Sequence, residues 1–218
     1  MARGLIGKKL GMTQVFDAYG NLVPVTLVEA GPNFVIQIKE EGGKDGYSAV
    51  KLGFGAKKIS HVNRPELGVF KSAGIEPTAV VQEFRVTPEE MSYYTQGKTV
   101  GVAAFADVNR VDVTGTSKGK GYQGVIKRHH FKGAKESSHG THEYKRHGGS
   151  IGSSAWPSRV IPGKRMAGQM GNARVTVRNL DVIGIFSEEN LIIIRGSLPG
   201  PDDGIVRIRR SAKQKKVK

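Results

Sequence analysis

The chain has 218 residues and carries 34 Lys and Arg against 19 Asp and Glu, a formal charge of +15. It has no cysteine, which excludes disulfide frameworks, thiolate zinc sites and cysteine nucleophiles. Thirty glycines, about twice the usual share, and only 38% hydrophobic residues predict that part of the chain lies outside a packed core.

In chain order, residues 1–13 hold basic groups and no acid, with Lys8 and Lys9 interrupting the apolar residues. No signal peptide is visible there, and the longest apolar runs, such as 191–194, fall far short of the roughly 18 residues a membrane span needs. The expected address is therefore the cytoplasm, with no membrane partner. Period-two, β-branched runs bounded by Gly, Pro, Asn or Asp predict strands at 22–29, 34–39, 48–54, 80–86, 99–106 and 110–114. The stretch 56–79, rich in Pro, Gly and Lys, reads as a small loop insertion. One short helix follows Thr87, where Thr-Pro-Glu-Glu supplies an N-cap, a first-turn proline and acids at the positive helix end; it should finish near Gly97.

The strand pattern stops after 114 and resumes at 174–177, 180–186, 191–195 and 205–208. Many short strands with turn signals between them predict an all-β fold, mainly a β-barrel. The expected domains are a barrel core at 1–114 and 174–210, a long irregular basic loop extension at 115–173 inserted in that barrel, and a basic tail at 211–218.

Charge follows the same division. Residues 14–113 hold ten basic and twelve acidic groups, 114–178 thirteen and two, 179–204 one and five, and 205–218 seven and none. The segment 114–178 also has twelve glycines and five of the six histidines. It cannot bury enough apolar surface to offset chain entropy, so it is expected to be disordered when free and ordered by a partner. A polyanion is the natural one, because Lys and Arg contacts to phosphates release counterions and glycines admit close backbone approach.

Within it, GTSKGKGYQGVIKRHH at 115–130 places phosphate donors Lys118, Lys120, Lys127 and Arg128 beside Tyr122, whose ring can stack on a base, and His129 and His130. Lys132, Lys135, Lys145, Arg146, Arg159, Lys164, Arg165 and Arg174 continue the donor series, joined by Lys8 and Lys9 near the start. His139, His142 and His147 raise the question of zinc. Their spacing matches no strong metal signature, and Lys145 and Arg146 between them repel a dication, so no metal and no cofactor is expected. His142 and His147 read better as stacking or phosphate-donating groups. No G-x-S-x-G elbow or Walker loop appears, and no small-molecule substrate is expected. Trp156, the only tryptophan, sits in a Gly- and Ser-rich loop where a stacking or wedging role fits better than a core one. A β-barrel enzyme using the histidines and a nonspecific DNA compactor are the rival readings. Neither explains a basic excursion interrupting an acidic β core.

The motifs GKKLGMTQVF (7–16), GTSKGKGYQGVIKRH (115–129), GGSIG (148–152), SRVIPGKRMAGQMGN (158–172) and RVTVRNLDV (174–182) resemble bacterial members of the universal large-subunit ribosomal protein L3 family. The resemblance runs essentially the whole length. It implies a non-catalytic structural protein of the large subunit, with a surface barrel and an extension threading 23S-type rRNA towards the peptidyl transferase centre. It also implies a role in subunit assembly and contacts with neighbouring large-subunit proteins. The finger falls near 150–165, with Ser150 in the GGSIG motif and Ser153, Ser154, Ala155 and Trp156 at its tip. Where many bacterial members carry a methylated glutamine this chain has Ala155, which has no amide to modify, so no modification is expected. Trp156 is expected to fill part of the same space.

Overall fold

The computed structural model describes residues 4–17, 19–43, 45–134 and 139–214. In chain order its elements are β1 (Gly4–Phe16), β2 (Leu22–Glu29), β3 (Asn33–Lys39), β4 (Ala49–Ala56), α1 (Arg64–Ala73), β5 (Thr78–Arg85), α2 (Pro88–Met91) and β6 (Thr99–Val100). They continue with β7 (Arg110–Thr116), β8 (Tyr122–Gln123), α3 (Val125–His129), β9 (Gly168–Gln169), β10 (Arg174–Phe186), β11 (Leu191–Arg195) and β12 (Ile205–Arg210). Six strands close a barrel in the order β1-β12-β7-β10-β11-β2, all pairs antiparallel, and β5-β4-β3-β6 form a separate sheet. The all-β, barrel-dominated class is thus observed.

Two compact units divide the chain, one of Met1–Thr116 with Arg174–Lys218 and one of Ser117–Ala173. The first holds three apolar clusters among the described residues, the two largest of which meet at β1. Successive residues of a strand point to opposite faces, so Leu5 enters the barrel core with Val28, Phe105, Val113, Ile192 and Ile208, while Ile6 enters the sheet core with Val35, Leu52 and Phe84. β12 alternates in the same way: Val206 and Ile208 are buried in the barrel while Ile205 packs on the sheet core. The buried Asn33 completes the join. Its Oδ1 accepts from the Ile6 N–H at 3.0 Å and its Nδ2 donates to the Ile6 and Ala30 carbonyls at 3.1 Å. β2 pairs with β1 only from Lys8 onward, so this side chain replaces a missing strand partner.

Four elements differ from the sequence expectation. β1, thirteen residues long, carries no strand signal because its exposed half, Leu10–Phe16, mixes apolar and polar residues without alternation. The segment expected to be a loop at 56–79 contains α1. Asn63 stands at the N-cap position, proline lies in the first turn and Gly74 closes the helix at φ 68°, while Phe70 and Ala73 pack on Ile36 of β3. The strand expected at 99–106 stops at Val100 and becomes a 3₁₀ turn at Val102–Phe105, because Val102 and Phe105, three apart, both enter the barrel core. The helix after Thr87 forms with a reciprocal Thr87–Glu90 capping box but ends at Met91 rather than near Gly97. Among the described residues there are accordingly three short α-helices where one was expected.

Candidate nucleic-acid interface

The Ser117–Ala173 unit begins as a paired stem. The Ser117 N–H donates to the Ala173 carbonyl (2.9 Å), Lys120 to Met170 (2.9 Å) and Met170 to Gly121 (2.9 Å), and β8 pairs with β9 through Tyr122–Gln169 and Gln123–Gly168. Glycine is required at two points. Gly171 has φ +71° and a Cβ there would lie 2.1 Å from the Lys118 carbonyl oxygen, while Gly133, φ +72°, would meet the Lys145 carbonyl at the same distance.

Beyond the stem, α3 carries Lys127, Arg128 and His129 on its last turn, and His130 closes it in the left-handed region at φ 60°. Arg128 Nη1 donates to the Met166 carbonyl at 2.7 Å, and His129 Nε2 lies 3.1 Å from the same oxygen. These two side chains hold the returning strand, a positioning duty that leaves part of the Arg128 fork free. The Tyr144 and His147 rings lie 6.4 Å apart.

Most of the remaining site residues are on the surface. Lys118, Lys120, Lys127, His130, Lys132, His142, Arg146, His147, Arg159, Lys164 and Arg165 are exposed, and Lys145 is half-buried. Lys135 lies outside the described residues. Tyr122 is 75% and Trp156 85% exposed, so neither aromatic serves a core. Ser150 Oγ donates to the Gly152 carbonyl at 3.0 Å and accepts from the Gly152 N–H, a local turn leading into Ser153, Ser154 and Ala155; Ser158 Oγ donates to the Ala155 carbonyl. Among the described residues of this unit only Val125 and Thr141 are buried, and no ion pair neutralises its cations. The unit holds eleven Lys and Arg against two Glu. No group of three or more His, Asp or Glu with metal-binding geometry occurs among the described residues, and no helix there is long and apolar enough to cross a membrane.

Lys8 and Lys9 sit differently. Lys8 Nζ pairs with Asp203 at 2.7 Å, which raises its pKa above the ordinary lysine value. Lys9 is 6% exposed, and its ammonium reaches the Gly200 carbonyl and Asp202, both at 3.3 Å. These two anchor the turn before β12. Arg174 lies on the outer barrel face opposite Thr116. Two cations near it, Arg207 and Arg209 of β12, escaped sequence reasoning; the signal was the alternation Ile-Val-Arg-Ile-Arg, which places both on one face.

The chain thus combines a closed antiparallel barrel with a cation-rich unit whose described residues bury almost nothing. The model of the family described as Ribosomal protein L3 matches residues 72–189. The chain is 51% identical over 216 residues to the large ribosomal subunit protein uL3 of Syntrophotalea carbinolica, spanning 98% of this chain and 100% of that protein. It is 49% identical to the uL3 of Acidothermus cellulolyticus, over 98% and 94%, and 47% identical to that of Brachyspira pilosicoli, over 99% and 96%. The chain belongs to the ribosomal protein L3 family.

Proposed function

We propose that the chain is a structural, non-catalytic constituent of the large ribosomal subunit in the cytoplasm. Its Ser117–Ala173 unit binds 23S-type rRNA, supports subunit assembly and extends the 150–165 finger towards the peptidyl transferase centre. The observation that carries this reading is a unit of eleven cations and two carboxylates whose described residues bury almost nothing, so that its charge and its aromatic rings are both available to a partner. Lys118, Lys120, Lys127, Lys132, Lys135, Lys145, Arg146, Arg159, Lys164 and Arg165 meet phosphates. Tyr122, His142, His147 and Trp156 stack on bases, as single-stranded and irregular RNA permits. The barrel faces neighbouring subunit proteins.

The test is binding of large-subunit rRNA and a length-matched DNA duplex across a salt series, by the full chain and by one with 117–173 replaced with a short Gly/Ser linker. Thr116 and Arg174 are cross-strand partners, so a short linker suffices. Loss of the rRNA preference and a slope of log affinity against log salt shallower by about 0.7–0.9 per lost contact is the expected result. A slope and preference that survive deletion, with the barrel folded, would overturn the assignment to this unit.

A further inference from the structure

The Met1–Thr116 and Arg174–Lys218 unit has a cationic groove of its own, of about 740 Å³, lined by Arg174, Arg207 and Arg209 on one side and Val80, Gln82 and Glu83 of β5 on the other. Strand register builds it. Arg207 stands opposite Thr114 and Arg209 opposite Asp112 across β12–β7, while Arg174 stands opposite Thr116 across β10–β7. The Thr114 and Thr176 hydroxyls, 2.9 Å apart, lie in the floor between them.

Three guanidinium groups converge here without a counter-ion. Among the described residues no carboxylate lies within ion-pair distance of any of them. Glu83 of the facing strand is held by Lys39 Nζ at 3.0 Å and the Tyr47 hydroxyl at 2.9 Å, and Asp112, whose charge acts on Arg209 without an ion pair, accepts from the Asn179 N–H at 2.8 Å. Arg207 Nε and Arg209 Nε are shut away from solvent with no acceptor, and the buried Gln82 amide oxygen has no donor. Burial, reinforced by the charges of Arg209 and Arg174, pushes Arg207 down to about 10. Such an arrangement costs stability unless an anion enters.

The donors are also held in place. Arg207 lies 4.2 Å and Arg209 5.8 Å from the Phe84 ring centroid, and Arg207 Nη2 donates to the Glu83 carbonyl. Preorganised arginine forks suit a tetrahedral oxyanion. A phosphodiester, like a carboxylate, offers two charged oxygens, but a nucleic-acid strand carries successive phosphates that give three forks separate acceptors. Arg207 and Arg209, two positions apart on a strand, are spaced by roughly 6.5 Å and reach different oxygens or successive phosphates.

We propose that this groove is a second anchoring site, in which Arg174, Arg207 and Arg209 take a phosphodiester group of a nucleic-acid strand. The proposal rests on the RNA-binding reading and adds to it a contact outside the Ser117–Ala173 unit.

The full chain is compared with R174Q/R207Q/R209Q, with the single variant R209Q in case the triple variant fails to fold, and with K118Q/K120Q/K127Q/K164Q/R165Q. An rRNA transcript is titrated across a salt series, and melting is followed in inorganic phosphate against chloride at matched ionic strength. The triple variant should stay folded, lose the phosphate-specific stabilisation and bind rRNA with a slope shallower by about 1–3, and R209Q by about 0.7–0.9. An unchanged slope in both groove variants, with a reduced one in the lysine variant, would overturn the groove and leave the RNA reading standing. Unchanged slopes in all variants would overturn both. Phosphate stabilisation without any slope change would make the groove a site for free phosphate, and equal protection by polyglutamate would make it a peptide site; either overturns the assignment.

Discussion

At the scale of single residues, the side chains that hold this fold together are polar ones whose duty appears only in three dimensions. Asn33 is invisible as a structural residue in the sequence, yet it satisfies both the N–H and the carbonyl of Ile6 from inside the protein. Asn33→Leu keeps the branching and heavy-atom count and strands both groups, so equilibrium denaturation should register a loss of about 2–4 kcal/mol. Gly171 has the converse role: it matters for lacking a side chain. Gly171→Ala should speed hydrogen exchange of the Lys120 and Met170 amides about tenfold or more, because the left-handed backbone alone costs roughly 1–2 kcal/mol and the Lys118 carbonyl adds a clash. Barrel amides should keep their protection. The cations of the extension were legible in the sequence as a charge run. The internal pairing of Lys8 and Lys9 was not, since Asp202 and Asp203 lie almost two hundred positions away.

Among the elements, legibility followed periodicity. β2, β3, β7, β11 and β12 are rich in β-branched and apolar residues between turn signals and were readable, as was the Thr87 cap. β1 and α1 were not, the first for want of alternation and the second because its core contact is confined to Phe70 and Ala73 at one end. The turn at Val102–Phe105 shows what the alternation hid. Phe105 is fully buried, and Phe105→Ala should cost about 3–5 kcal/mol in urea unfolding, whereas truncating Val81 on the exposed side of β5 should change little. Within the extension, amides of the 117–123 and 168–173 stem should exchange more slowly than those of 148–165, where few backbone bonds exist among the described residues. Uniformly strong protection across both would contradict a finger shaped by its partner.

Across the whole molecule, charge sets two opposing responses to salt. A net +15 repels itself, so the melting temperature of the free chain should rise with ionic strength while affinity for RNA falls. Acid acts through specific groups. The Lys39 ammonium, hydrogen-bonded to the Glu83 carboxylate, holds that carboxyl below its ordinary value. A depressed acid contributes stability that is present above its unfolded pKa and is lost as pH falls through the folded one. Unfolding free energy should therefore decline below about pH 4.5, and Glu83→Gln should flatten that decline while lowering stability at neutral pH.

Barrel closure joins Gly4–Lys8 to Ile205–Arg209, pairing segments made at opposite ends of a long stretch of synthesis. A nascent chain therefore cannot seal its barrel until residue 210 has left the tunnel. Throughout that wait Leu5 and Ile6 lack a partner strand, and the cationic segment has already emerged beside whatever RNA is near. Translation order thus puts emergence of the cationic segment before completion of the scaffold. A stalled chain ending before β12 should be protease-sensitive in β1, and one extended past residue 210 should not.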